Sequence, residues 1–458
     1  MEIIGILISL LLLMYLAYRG YSVIIIAPIL ALLAVAINGE GKLLAFYTQI
    51  FMMGLGSFVI KYFPVFLLGS VFGKLMEETG AAGSIAKAIV LRLGNSNAIA
   101  AIVLSCAVLT YGGVSLFVVA FAIYPLAAAL FREANVPKRL IPGAIALGAF
   151  TFSMTALPGT VQIQNLIPMP YFQTNAFAAP IFGLIASAII LSVGLYWFAR
   201  REKAARKKGE GYGEHAEIDK PKSSSKLPAF PLAVLPVAVI IIANYLLANY
   251  VIPSWNLSFL NETAFGSISA ESISGLWAMI LAMVAGIIAL LISLGGRLEK
   301  INQSLVKGAN GSLLPIFNTA SEVGYGATIA SLAGFAIIKN WVLSLSPENP
   351  LISEAVAVNI LAGITGSASG GLSIAMEALG DQYYQLALEK GIDPELLHRV
   401  ASMACGGLDS LPHNGAVITL LAICGLSHKE SYLDIGVATL VIPLSTLALM
   451  LAFSGFFI

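Results

Sequence analysis

Long runs of hydrophobic residues with few polar interruptions dominate the pattern along this chain. They cover residues 3–18, 22–37, 98–110, 176–198, 229–252, 273–294 and 433–457. Several approach or exceed the roughly 20 residues with which a helix crosses about 30 Å of hydrocarbon. A transmembrane barrel would alternate hydrophobic and polar residues in segments of about ten, so continuous runs favour helices. The pattern predicts an all-α polytopic membrane protein with about ten to twelve transmembrane helices.

The composition agrees with this prediction. Hydrophobic residues make up 58% of the 458 residues and charged residues 11%, and the mean hydropathy is +0.90. Soluble domains usually contain about 25% charged residues. The first hydrophobic run has no basic segment before it and no small-residue cleavage site after it, so we expect a retained span rather than a signal peptide. Cys106, Cys405 and Cys424 lack metal-ligand spacing and are expected to be free thiols, and no cofactor or metal is predicted.

Basic residues are concentrated in the middle of the chain. Residues 200–208 contain six Lys or Arg, and a Ser- and Lys-rich stretch follows up to residue 226. By the positive-inside rule we expect residues 199–228 to form a cytoplasmic loop of a protein of the cell (inner) membrane. Binding of nucleic acid or anionic lipid is the alternative, but the adjoining spans favour topology. Residues 253–272 contain no Lys or Arg and are expected on the outer side.

The two halves of the chain repeat short motifs in the same order. The first half contains PVF at 64, ETGAAGSIA at 78–86, GGVSL at 112–116, a proline at 137 and LPGT at 157–160. The second half contains PIF at 315, EVGYGATIA at 322–330, GGLSI at 370–374, a proline at 394 and LPHN at 411–414. The last three pairs are offset by 258, 257 and 254 residues. We infer an internal duplication. If each copy contains an odd number of crossings, the copies are inverted, as in many secondary transporters.

Proline and paired glycines interrupt the predicted helices at matching places in the two copies. Residues 110–125 match 365–380, and residues 151–172 match 404–421. Backbone groups freed at membrane depth must face protein, water or a ligand, and exposed helix N-termini favour an anion. Alternatively, a single Ser, Thr or Asn joins helices through hydrogen bonds of about 0.6 kcal/mol. The predicted substrate-binding residues are Gly112, Gly113, Ser115, Thr155, Pro158, Gly159, Thr160, Gln162, Asn165, Ser369, Gly370, Gly371, Ser373, Ser410, Pro412, Asn414 and Thr419.

Asp409 and His413 are the predicted proton-coupling residues. Ionisable groups inside a span are costly and usually mark ion or proton paths. Histidine also changes charge near neutral pH. His413 is the histidine that lies in an interruption, whereas His398 and His428 stand beside charged residues at expected helix ends. A structural histidine paired with Asp409 is the alternative.

At these residues the chain resembles the gluconate permease family, within the superfamily of ion-coupled organic-anion transporters. The resemblance rests on the duplicated halves, the interruptions ALPGT and DSLPHNGA, and the central basic loop, and it spans nearly the whole chain. It implies proton-coupled import of a hydroxy-carboxylate, a homodimer, an elevator motion, and substrate-binding hairpins or their flanks at 151–170 and 404–421. The hydrophobic run GAVITLLAICG after His413 favours a short acid such as 3-hydroxybutyrate over gluconate.

The same pattern suggests a division into static and moving parts. Residues 1–60 and 229–296 lack interruptions and are predicted to form the scaffold and dimer interface, while 61–198 and 303–458 form the transport domain. A passive channel is the main rival, but the chain has no repetitive filter or ring-forming acidic motif. An enzyme is not expected because metalloprotease, nucleophile-elbow and P-loop motifs are missing. Sodium coupling through backbone carbonyls around the paired glycines is a further alternative.

Overall fold

The computed structural model describes residues 2–19, 21–94, 97–215, 227–346, 348–412 and 414–456. These residues form helices and connecting turns, and no β-strand is found among them. His413 and residues 216–226 of the predicted cytoplasmic loop lie outside the described residues.

The first half of the chain forms helices α1 to α11. They are α1 Glu2–Tyr18, α2 Val23–Ile37, α3 Leu43–Glu78, α4 Ala81–Leu93, α5 Ala98–Tyr111, α6 Leu116–Glu133, α7 Ile141–Ala149, α8 Phe152–Thr155, α9 Ile163–Leu166, α10 Met169–Phe172 and α11 Pro180–Lys207.

The second half forms helices α12 to α20. They are α12 Phe230–Ser254, α13 Ala270–Arg297, α14 Ile301–Ala330, α15 Ala333–Ser344, α16 Pro350–Thr365, α17 Ala368–Lys390, α18 Pro394–Cys405, α19 Gly415–Cys424 and α20 His428–Ala452.

Many of these helices are long and hydrophobic enough for a membrane. Within the described residues, α3, α11, α12, α13 and α20 each suffice to cross one, and α14 with α15 forms a sixth candidate that bends by 96° at its break. Five shorter hydrophobic helices lie in α1, α2, α5, α16 and α19. The chain is therefore an all-helical multi-pass membrane protein, as predicted, while the number of ten to twelve crossings stays a prediction.

Helices α3 and α14 pack along each other in opposite directions at the centre of the fold. Near the start of α3, Gly54 lies against Gly324 and Ala327 of α14, and near the other end Gly308 of α14 lies against Val71. A Cβ atom on Gly308 would lie 2.7 Å from the Cα atom of Val71. Small residues let membrane helices approach this closely, so the glycines bring the two backbones together.

The helices of the two halves have corresponding neighbours. Helix α2 packs against α14, and α13 packs against α3. Helix α5 packs against α4, α6 and α7, and α16 packs in the same way against α15, α17 and α18. Helices α5 and α6 form one hairpin, and α16 and α17 form another. The tips of these two hairpins are the turns at 112–115 and 366–367. Gly112 and Gly113 lie in the first turn, and Gly370 and Gly371 lie in the first helical turn of α17, directly after the second.

A buried ionic cluster joins α11, α20 and the segment before α7. Asp434 is 1% exposed and accepts hydrogen bonds from Arg139 Nη1 at 3.0 Å, Arg201 Nε at 2.7 Å and Trp197 Nε1 at 3.2 Å. Arg139 also donates to Glu210, 2.6 Å away. Because a buried carboxylate is tolerated only when it is paired and hydrogen-bonded, this cluster holds the start of the predicted cytoplasmic loop against α20.

Candidate functional site

The first helix interruption follows α7, and hydroxyl side chains within it donate hydrogen bonds to backbone carbonyls. The hydroxyls of Thr151 and Ser153 donate to the carbonyls of Leu147 and Gly148 at 2.6 and 2.5 Å, and Thr160 donates to Ser153 at 2.8 Å. These bonds pair carbonyls that the broken helix leaves free. The segment from 150 to 162 around α8, called the first break, is therefore a defined structure within the membrane protein.

Pro158 and Gly159 form the turn of the first break. Gly159 has a φ of +81°, a left-handed conformation that favours glycine. A Cβ atom there would collide with the ring of Phe177. The Gly159 N–H donates to the carbonyl of Ala176 at 2.7 Å. The turn therefore requires glycine both for its conformation and for its close contact.

Asn165 ties the first break to the segment that precedes α11. Its amide nitrogen donates to the carbonyls of Thr160 and Ala176, each at 2.9 Å. Its oxygen accepts from Arg399 Nη1 at 2.8 Å and lies 3.1 Å from His398 Nε2. Because the amide nitrogen and the oxygen of its side chain are both engaged with protein groups, Asn165 is a structural link, here called the strut, in this conformation.

Arg399 and His398 of α18 hold Asn165 in place, and neither role was predicted from the sequence. Both side chains are fully buried. The Arg399 guanidinium donates to the carbonyls of Ala178 at 2.8 Å and Ala176 at 3.3 Å. His398 Nδ1 lies 2.6 Å from the Thr174 hydroxyl. The signal available in the sequence was an arginine between Leu397 and Val400, inside a hydrophobic segment rather than at its end.

The second interruption, residues 406–414 between α18 and α19, is called the second break. It contains Asp409, which is 6% exposed and accepts a hydrogen bond from the Ser410 hydroxyl at 2.9 Å. The Ser410 carbonyl accepts from Tyr432, and that of Pro412 lies 2.9 Å from His428 Nε2. Asp409 is thus a buried carboxylate in the broken segment, while its predicted partner His413 lies outside the described residues.

Each hairpin tip contacts the break of its own half. At the first tip, Tyr111 donates to the carbonyl of Pro158 at 2.8 Å and Gln162 donates to that of Thr110 at 2.7 Å. Val161 fills the space beside Gly113, whose φ is +93°. At the second tip, the Asn414 amide donates to the carbonyl of Gly366 at 2.8 Å. The structure therefore pairs each tip with one break.

Serine and asparagine side chains cap the helices that begin at the tips and at the second break. Ser115 accepts from the N–H of Val118 at the start of α6, and Ser367 accepts from Gly370 at the start of α17. Asn414 accepts from Ala416 and Val417 at the start of α19. Ser369 lies 3.3 Å from the Thr319 hydroxyl of α14, which links the second tip to the central helix pair.

The two breaks meet each other as well. Gly406 packs on Thr155: a Cβ atom at Gly406 would lie 3.0 Å from the Thr155 Cγ2 atom. Beside this contact, Ser402 of α18 donates to the carbonyl of Gln164 in α9 at 3.0 Å. The hydroxyls of Thr155 and Thr160 bond to backbone carbonyls, so the packing alternative describes these residues and Asn165 in this conformation. Thr419 is a predicted residue that stands apart, because it is half-buried and bonds only to Gly415 within α19.

A small polar pocket lies beside the second hairpin, between α3, α10, α14 and α17. The Lys61 ammonium lies 4.9 Å from the ring centre of Tyr171, whose hydroxyl donates to Glu377 at 2.9 Å. Ser373 also lines this pocket, and its buried hydroxyl has no hydrogen-bond partner within the described part of the chain. Lys61, Tyr171 and Glu377 were not predicted from the sequence, because they stand far apart in it.

No group of three or more His, Cys, Asp or Glu side chains within the described residues is arranged to hold a metal ion. Cys106, Cys405 and Cys424 are buried free thiols.

Comparisons with known proteins agree with this architecture. The profile of the GntP family permeases matches residues 1–380. An uncharacterized transporter of Bacillus subtilis (strain 168), YxjC, is 46% identical over 469 residues, and the match covers 99% of each chain. The crystal structure of the Alcanivorax borkumensis YdaH transporter has a similar fold, with a TM-score of 0.57 and 16% identity over 91% of this chain and 90% of that one. The chain belongs to the GntP family of permeases and is a membrane transporter.

Proposed function

We propose that this permease is a secondary active symporter that imports a small hydroxy-monocarboxylate with protons by an elevator-type motion. The observation that carries the proposal is the pairing of two hairpin tips with two helix breaks that meet at Thr155 and Gly406. In secondary transporters, broken helices of two repeats form the substrate site in this way. The homodimer and the cell membrane remain parts of the proposal.

Several features of the site suit a carboxylate. Helices α6 and α17 begin at the tips, and α19 begins at the second break, so three helix N-termini lie at these polar turns. The N–H groups that the serine and asparagine caps leave unpaired, and the partial positive charge of the helix starts, favour an anion. The hydrophobic start of α19 favours a short acid such as 3-hydroxybutyrate, with gluconate as the second candidate.

The packing supports inverted repeats. Helices α3 and α14, which occupy corresponding places in the two halves, run antiparallel, and the helices around them have corresponding neighbours. Two copies in opposite orientations would produce this arrangement.

The helix boundaries favour a modified division into scaffold and transport domain. The predicted boundary at residue 60 falls inside α3, which continues without interruption from Leu43 to Glu78. A continuous helix moves as one body. We therefore place the first hinge at the turn around Gly80, whose φ is +76°, and the second at the 96° bend between α14 and α15. Helices α3 and α14 then belong to the scaffold, and the hairpins and breaks move.

Proton coupling follows from the charge of the substrate. An inside-negative potential opposes entry of an anion by about 2.3 kcal/mol per charge per 100 mV. A proton bound in the second break cancels that charge, and Asp409 and His413 are the residues proposed to bind it. Sodium held by carbonyls around Gly112, Gly113, Gly370 and Gly371 is the alternative.

An uptake panel tests the substrate and the coupling ion together. Purified protein in liposomes is offered short hydroxy-monocarboxylates and sugar acids, with a pH gradient or a sodium gradient imposed separately. We expect 3-hydroxybutyrate to be concentrated by the pH gradient alone. Counterflow exchange of labelled for unlabelled acid separates a carrier from a channel, because a channel equilibrates the label without exchange. Accumulation with sodium alone would contradict proton coupling.

Replacing Asp409 by Asn tests the coupling residue. One proton fewer per substrate lowers the accumulation driven by a gradient of about one pH unit by about tenfold. We expect D409N to keep counterflow exchange, with a raised KM because Asp409 lies in the break. Glu389→Gln, at an exposed carboxylate of α17, is the control and should behave as wild type.

His413→Gln is compared in the same assay. If both D409N and H413Q accumulate the acid as wild type does, the coupling proton is bound elsewhere.

A further inference from the structure

Glu322 of α14 is a buried carboxylate at the tip of the second hairpin. It is 3% exposed, and its Oε2 atom has no hydrogen-bond partner within the described part of the chain. The backbone of Gly370 lies directly on this oxygen, and a Cβ atom at Gly370 would collide with it. The hairpin tip therefore acts as a cover over the carboxyl group.

The surroundings of Glu322 are polar but uncharged. Ser367 at the tip accepts a hydrogen bond from the Gly370 N–H beside the carboxyl group, and Tyr325 on α14 itself pairs with Ser9 of α1 instead. Helix α2, which packs against α14, has no titratable residue. The titratable groups on the other helices packed against α14 are Tyr47, Lys61, Tyr62, Lys74, Glu77 and Glu78 of α3, Lys339 of α15, and Glu377, Asp381, Tyr383, Tyr384, Glu389 and Lys390 of α17.

Within the described residues, none of the ion pairs formed by lysine or arginine includes Glu322. An ionised carboxylate buried without a counter-charge is costly, and such a group binds a proton instead. While the tip covers it, Glu322 is therefore protonated. When the tip moves away, water reaches the carboxyl group and the free-energy cost of ionising it falls.

Glu78 supplies a contrast inside the same protein. It occupies the corresponding position in the repeated motif, since ETGAAGSIA begins with Glu78 and EVGYGATIA begins with Glu322. Glu78 is partly exposed at the end of α3 and lies 3.5 Å from the Lys74 ammonium and 3.3 Å from that of Lys307. Because the charge of Glu78 is paired and hydrated, we expect no change in its protonation during transport.

We propose that Glu322 is a second proton-binding site of the transport cycle, which binds a proton when the second hairpin closes on it and releases the proton when the hairpin opens. The proposal rests on the proposed symport and adds a site outside the second break. The loaded carrier takes this proton inward and the empty carrier returns with Glu322 ionised, so two protons accompany each monocarboxylate. The tip couples this proton to alternating access because the same movement exposes both the break and Glu322.

Accumulation in liposomes tests the stoichiometry. With the membrane potential clamped at zero, a gradient of about one pH unit drives about 100-fold accumulation with two protons and about tenfold with one. We expect about 100-fold for wild type and for the control E78Q, and about tenfold for E322Q with an unchanged KM for counterflow exchange. Wild-type accumulation by E322Q would overturn the proposal.

Hydrogen exchange of the hairpin tip tests the same site without transport. The full-length protein is compared at mildly acidic and mildly alkaline pH, after correction for intrinsic exchange rates. In wild type and E78Q, residues 362–372 should lose protection about tenfold as the pH rises, and in E322Q protection should not change with pH. Equal pH dependence in wild type and E322Q would overturn the proposal. If wild type shows no proton-driven accumulation, the proposed symport fails, while hydrogen exchange still decides whether Glu322 binds a proton.

Discussion

Replacing Arg399 by methionine is expected to abolish transport and to lower the stability of the folded protein more than any other single change considered. Methionine fills a similar space but donates no hydrogen bonds. The carbonyl of Ala178 would lose its guanidinium donors. The carbonyl of Ala176 would keep the Gly159 and Asn165 donors, and the Asn165 oxygen would lose Arg399 and remain beside His398. An unsatisfied buried polar group costs about 1–3 kcal/mol. The first break would then lose its position relative to α18.

Thermal unfolding in detergent and uptake in liposomes measure this effect. Arg200→Met is the matched control, because Arg200 is exposed on α11 and should tolerate the change. Arg399→Lys keeps the charge but offers a single ammonium in place of a planar fork, so it should recover only part of the stability. If R399M transports and unfolds as wild type does, the strut is not required for the site.

Gly371→Ala is expected to have the second largest effect. A methyl group at Gly371 would collide with the backbone nitrogen and Cα atom of Ala362 in α16. A backbone cannot rotate away as a side chain does, so α16 and α17 must separate. Overpacking of this kind costs about 1–3 kcal/mol, and occasionally more. We expect a lower unfolding temperature and at least about a tenfold loss of uptake, since the tip would no longer close on Glu322 and Asn414.

Gly415→Ala provides the control for this prediction. Gly415 begins α19 directly after the second break, and no heavy atom lies within 4 Å of the position that its Cβ atom would occupy. Alanine also favours a helix more than glycine does. G415A should therefore keep its stability and uptake. Equal behaviour of G371A and G415A would show that the close packing within the second hairpin is not required for transport.

The helical membrane fold and the family were predictable because they depend on local sequence. The hydrophobic runs correspond to described helices, and the interruptions at Pro158 and Pro412 fall between helices as expected. Proline, glycine and capping residues act on the backbone within a few positions of themselves. A reader of the sequence can therefore locate a break without knowing what packs against it.

The roles of individual polar residues were less predictable. Asn165 and Thr160 were assigned to a substrate cavity, yet in this conformation they bond to Arg399 and to backbone carbonyls. Arg399 lies 234 residues from Asn165 in the sequence. Sequence spacing contains no information on such a contact, because the two residues meet only after α18 has packed beside the first break.

Glu78 and Glu322 show most clearly what the sequence determines and what the tertiary structure determines. The sequence by itself determined that both copies of the motif begin with glutamate, that the chain forms membrane helices, and where those helices break. The tertiary structure alone decided that one glutamate pairs with lysines at a helix end while the other is covered by a hairpin tip. The physical reason is that burial and pairing depend on neighbours from distant parts of the chain, and these set the cost of a charge in the membrane.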